Sequence, residues 1–120
     1  PYLEELRVVY VAGEPPHPPS MVTAVARNGA VDLSWRPSPS RDVEGYLVYY
    51  GTSRGEYFGE DAVSGPSPVN VGKRTSMHID GLTNGVLYYF AVSAYDRANA
   101  PRAGEFSREV TARPLRSAAD

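Results

Sequence analysis

Apolar side chains in this chain recur at every second position, in short runs separated by turn-forming residues. That spacing limits what the chain can fold into more than any other feature. In "YYFAVSA", Tyr88, Phe90, Val92 and Ala94 share one parity. Successive side chains of an extended strand point to opposite faces, so such a run buries one face and leaves the other free. The same holds for Val31, Leu33 and Trp35 in "VDLSW", for Tyr46, Val48 and Tyr50 in "YLVYYG", and for Met77 and Ile79 in "SMHID". No useful length of chain shows the 3.6-residue helical period. "MVTAVA" runs into Asn28-Gly29, a two-residue hairpin signal in which both positions tolerate positive φ. The polar stretch from Thr52 to Arg74 has Tyr57, Phe58, Val69 and Val71 as its anchors, "FSREVTAR" supplies the last strand, and "PLRSAAD" reads as a frayed tail. The count predicts an all-β fold, a seven-stranded antiparallel two-sheet sandwich.

Composition narrows function by exclusion. A net charge of −2 suggests no polyanion partner such as nucleic acid. The absence of cysteine excludes disulfides, thiolate zinc sites and thiol nucleophiles. No apolar run approaches the roughly 18 residues of a membrane span. Eleven glycines, eleven prolines and nine tyrosines fit many turns and aromatic-rich strands.

The organisation reads as four parts. Residues 1–14 form an N-terminal segment, and its stretch from Leu6 to Ala12 is apolar on both faces. The segment is expected either to pair as an extra strand, in this domain or another copy, or to be the tail of a preceding domain. Residues 15–18, within "PPHPPS", form a stiff connector, residues 19–114 the sandwich, and residues 115–120 a tail. A chain that begins at Pro1 reads as a processed product or an excised segment.

Leu82 and Tyr88 flank the turn "GLTNG". They are expected to close one end of the sandwich, the tyrosine ring in the core and its hydroxyl donated to a backbone acceptor of that turn. Pro19, Trp35 at the end of "VDLSW", Tyr46 and Val48 in "GYLVYY", Leu82 with Tyr88 in "GLTNGVLYYFAV", and the closing "SREVTARP" together resemble the fibronectin type III domain across residues 19–114. A tryptophan on the second strand without a cysteine pair fits that family better than antibody domains, whose tryptophan sits on the third. "VEGYLVYYGTSRGEYFG" is similar to bacterial members from secreted and surface proteins. The resemblance implies a core of Trp35, Tyr46, Val48, Leu82, Tyr88, Phe90 and Val92. It also implies a non-catalytic spacer or protein-interaction module of a larger exported protein, in a secreted, periplasmic or cell-surface setting.

Candidate chemistry is sparse. Ser76, His78 and Asp80 alternate on one strand, but side chains two apart lie about 7 Å from each other with no oxyanion device, so they read as exposed strand residues. His17 stands in the connector, and two distant histidines make no metal site. Glu56, Glu60 and Asp61 lack calcium-loop spacing, and "GTSRGEYFG" lacks the lysine and helix of a phosphate loop. Ser40-Arg41-Asp42 lacks the glycine of the integrin-binding order known in some family members. The expectation is therefore no catalytic residue, no metal and no cofactor. The feature that remains is the outward parity: Leu47, Tyr49, Tyr89 and Tyr95 are predicted to form an exposed stripe on one sheet, a candidate interaction face for proteins or neighbouring domains. As a second reading, the stripe would bind polysaccharide in an accessory domain of a polysaccharide-degrading enzyme.

Overall fold

The β-branched and aromatic runs become strands, and the glycine- and proline-rich stretches between them become turns. The structure, a computed structural model, describes residues 16–96 and 102–116; the predicted pairing of Leu6 to Ala12 lies outside them. The strands are β1 (Ser20–Arg27), β2 (Ala30–Arg36), β3 (Val43–Gly51), β4 (Val69–Gly72), β5 (Ser76–Asp80), β6 (Tyr88–Asp96), β7 (Arg102–Ala103) and β8 (Val110–Ala112). One sheet has the order β1-β2-β5; the other has β4-β3-β6, with β7 and β8 both on the free side of β6. All pairings are antiparallel. Among the described residues there is no helix.

The eight segments fill seven strand positions, because β7 and β8 are two pieces of one strand. Between them Gly104 N–H donates to Ala94 O and Ser107 N–H to Val92 O. The predicted last strand, "FSREVTAR", forms a ladder only at its C-terminal end. At Ser107 the side chain replaces the main chain as acceptor: its Oγ takes the Val92 N–H at 3.0 Å. This hydroxyl interrupts the strand while leaving β6 satisfied.

The inward faces meet in one core. Val31, Leu33, Trp35, Met77 and Ile79 come from the first sheet, and Tyr46, Val48, Tyr50, Tyr88, Phe90, Val92 and Ala94 from the second, with Leu82 from the β5–β6 turn. The Trp35 ring meets Tyr46 edge-on at 5.8 Å, an arrangement aromatic quadrupoles favour. Burial of each such side chain contributes on the order of 1.5–3 kcal/mol.

Two local expectations are corrected. At the β1–β2 hairpin only Gly29 (φ 66) has positive φ, so Asn28 keeps an ordinary backbone conformation. Its side chain is used instead: Asn84 Nδ2 donates to Asn28 Oδ1, and Gly29 N–H donates to Asn84 Oδ1. The Tyr88 hydroxyl, expected to donate to the preceding turn, accepts from Thr83 N–H at 2.9 Å and donates to the Asp61 carboxylate at 2.7 Å. A carboxylate is the stronger acceptor, and the backbone group within reach is a donor.

Asp61 belongs to the long β3–β4 connection, residues 52–68, which is tightly held. Tyr50 Oη donates to Gly65 O and accepts from Ala62 N–H, while Val63 N–H donates to Asp80 O. Ala62 is buried in the core. The loop thus crosses from the second sheet to the end of β5 and closes that pole of the sandwich.

Candidate functional surfaces

The outer face of the β3–β6 sheet is more covered than the alternation predicts. Leu47 is only 9% exposed and Tyr49, Tyr89 and Tyr95 are half-buried; Ala91 and Ser93, which share the outward parity, are fully buried. The exposed stripe is therefore corrected to a partly roofed surface. One piece of the roof is Phe106, from the interrupted last strand, whose ring meets Tyr49 edge-on at 4.7 Å. Another is Tyr57 from the long loop, at 5.3 Å from Phe106 and 6.1 Å from Tyr49. Glu109 ties this loop to the last strand, accepting from Gly55 N–H at 3.2 Å. Burial, reinforced by the nearby Glu109 charge, raises the Tyr57 hydroxyl pKa above its ordinary value of 10.0.

Tyr95 leans away from this cluster. It lies over Gly45 on β3, where an added Cβ would collide with its ring, and its hydroxyl donates to Asn70 Oδ1 on β4 at 2.9 Å. Tyr49 and Tyr95 are therefore held in separate groups. Phe106 is the contributor that sequence reasoning missed on this face. Its strand membership gave no sign that it would cross the neighbouring strand, although the small Ala91 opposite Tyr49 leaves the space for it.

On the other sheet the register sets Asp32 of β2 directly opposite His78 of β5. Asp32 Oδ1 contacts His78 Nδ1, and Arg27 Nε of β1 donates to Asp32 Oδ2 at 2.9 Å. The hydrogen bond from His78, more than Arg27, holds the Asp32 carboxyl below the ordinary 3.8 despite partial burial. His78 is thus joined to Asp32 across the strands, and it makes no hydrogen bond to Ser76 or Asp80. Among the described residues no hydroxyl bonds this imidazole.

The remaining sequence candidates stay apart. His17 uses only its backbone N–H, donated to Ser40 Oγ. Glu56 and Glu60 are exposed while Asp61 is spent on Tyr88. Among the described residues no three His, Cys, Asp or Glu side chains gather as a metal site, and no helix is long and apolar enough to cross a membrane.

The paired sheets, the Trp35–Tyr46 contact and the Leu82–Tyr88 corner reproduce one sandwich plan, and the model of the fibronectin type III domain matches residues 14–113. The chain belongs to the fibronectin type III family. A solved Fn3-like protein from Clostridium thermocellum superposes with a TM-score of 0.64 at 20% identity, covering 85% of this chain and 94% of its own. Over 82 residues the domain is 38% identical to a kelch domain-containing protein of Saccharolobus solfataricus, covering 68% of this chain and 10% of that protein. Over 83 residues it is 36% identical to an amylopullulanase of Thermoanaerobacterium saccharolyticum, covering 68% of this chain and 6% of the enzyme. The fibronectin type III domain therefore spans a tenth or less of these relatives' length.

Proposed function

We propose that this domain is a non-catalytic spacer and protein-interaction module within a larger exported protein. The observation that carries the reading is where the chain enters and leaves the sandwich. It enters at Pro16 and His17, beside Gly104 and the β2–β3 loop, where His17 N–H meets Ser40. It leaves at the opposite pole, where Gly85 N–H donates to Pro114 O and Leu115 N–H to Arg27 O. A rigid sandwich gripped at both poles keeps its two flanking segments apart. Membership in long relatives supports the same role; the exported bacterial setting rests on likeness to secreted family members.

The second reading, an accessory polysaccharide-binding domain, draws on the likeness to an amylopullulanase. It calls for a flat platform, whereas the Tyr49, Tyr57 and Phe106 rings stand at 56° to 87° to one another. That tilt favours the protein-interaction reading.

The test is replacement inside the parent polypeptide. Exchange for an unrelated rigid sandwich of equal span should preserve the parent's activity if spacing alone matters, and a flexible linker should impair it. Equal activity with the flexible linker would refute the spacer role. Retention of insoluble polysaccharide by the isolated domain, lost with Tyr49→Ala and Tyr89→Ala together, would establish the second reading instead.

A further inference from the structure

Along β5 the outer face of the three-stranded sheet carries an open groove of about 610 Å³, lined among others by Asp32, Ser34, Arg74, Thr75, Ser76 and His78. Its charges are not balanced. Asp32 has both oxygens engaged, Oδ2 by Arg27 and Oδ1 by His78. Arg74 is exposed and has no ion pair or side-chain hydrogen bond among the described residues. Trp35 N–H donates to Thr75 O, which brings Arg36, the next residue on β2 and also exposed, to the same end of the groove as Arg74. Lys73, the residue before Arg74, is a further exposed cation, outside the groove's lining. The other carboxylate of β5, Asp80, stands at its far end, in register with Ala30. In a chain of net charge −2 this end of the face is locally positive, and it is rimmed by hydroxyls.

We infer that this groove binds a small oxyanion, the carboxylate or phosphate group of a ligand, with Arg74 as its charge partner and the Ser76 hydroxyl as its neutral donor. A guanidinium offers paired N–H groups that match both anions. The groove takes part of the ligand out of water, which strengthens the contact relative to an open surface. A single open-sided arginine gives weak binding, with a dissociation constant on the order of millimolar.

The experiment is a heteronuclear NMR titration of the whole chain at constant ionic strength, one arm with inorganic phosphate and one with glucuronate. Saturable shifts centred on residues 74–78 are expected, and the tighter arm identifies which anion the groove prefers. Arg74→Gln should weaken binding about tenfold or more, and Ser76→Ala a few-fold. Both positions are exposed, so unchanged melting temperatures separate lost binding from lost folding. Non-saturating shifts in both arms, or saturable shifts that survive Arg74→Gln, would overturn the assignment.

Discussion

Tyr88 shows how one side chain serves packing and polar satisfaction together. Its ring is buried to 1% exposure, and its hydroxyl joins the β5–β6 turn to the long loop through Thr83 and Asp61. Tyr88→Phe keeps the ring and leaves both partners short, so we expect a loss of about 1–2 kcal/mol in chemical denaturation. Glycines at close approaches make a sharper contrast. A Cβ at Gly104 would collide with the Pro16 carbonyl oxygen, whereas at Gly45 it would meet the far end of the Tyr95 side chain. Backbone cannot yield as a half-buried tyrosine can. Gly104→Ala is expected to cost roughly 2–3 kcal/mol and Gly45→Ala under about 1 kcal/mol, with the Tyr95–Asn70 bond broken in the second. Comparing the two melting curves checks the ordering.

At the scale of elements, the first strand carries a strained position. Met21 has φ 55 within the irregularity between Ser20 and Thr23, where β1 slips against β2. β1 is an edge strand, and such a bulge spoils the edge as a template for further pairing. A side chain in left-handed backbone is unfavourable by about 1–2 kcal/mol, partly offset in the unfolded state, so Met21→Gly should raise stability by about 0.5–1 kcal/mol. The Arg27–Asp32–His78 group joins β1, β2 and β5 at the outer surface. Because the Asp32 pKa is lowered on folding, its contribution is present above the unfolded value and lost as pH falls through the folded one. Asp32→Asn should flatten the acid limb of stability against pH below about 4, by removing a small contribution that is full near neutrality and leaving stability in acid little changed. An unchanged acid limb would remove Asp32 as its source.

For the molecule as a whole, the buried tyrosines set the alkaline limit. Burial raises the pKa of both Tyr50 and Tyr88 above 10.0. The unfolded chain therefore releases these protons first as pH rises, and their contribution, full below about 10, is lost through the folded values. We expect the midpoint temperature to fall above about pH 10, and the share of ultraviolet tyrosinate absorbance that is lost in Tyr50→Phe and Tyr88→Phe to rise together with unfolding rather than ahead of it. The same scale holds the arrangement behind the proposed role: entry and exit lie at opposite poles, the entry fastened by the His17 N–H on the Ser40 hydroxyl and the exit by backbone hydrogen bonds.

The strands at residues 30–36, 43–51 and 88–96 were legible because hydrophobic and aromatic side chains recur at every second position in each, at 31–35, 46–50 and 88–94, and a one-residue slip would carry that face into water. The inward positions of Trp35, Tyr46 and Tyr88 could be read for the same reason, whereas Leu82, in the turn before β6, was placed by the corner it makes with Tyr88. Local pattern does not say what lies across a sheet or over it. Phe106 covers Tyr49 because a serine interrupts the last strand, and Asp61 reaches Tyr88 because a long loop is pinned by Tyr50. His78 finds Asp32 through the β2–β5 register, not through its own neighbours at Ser76 and Asp80. By itself the sequence determined the class of fold, most of the strands and their buried faces, since period-two burial is a property of each segment alone. Only the tertiary structure decided which outward side chains are roofed and which charges meet, because those contacts join residues whose separation along the chain carries no trace of their distance in space.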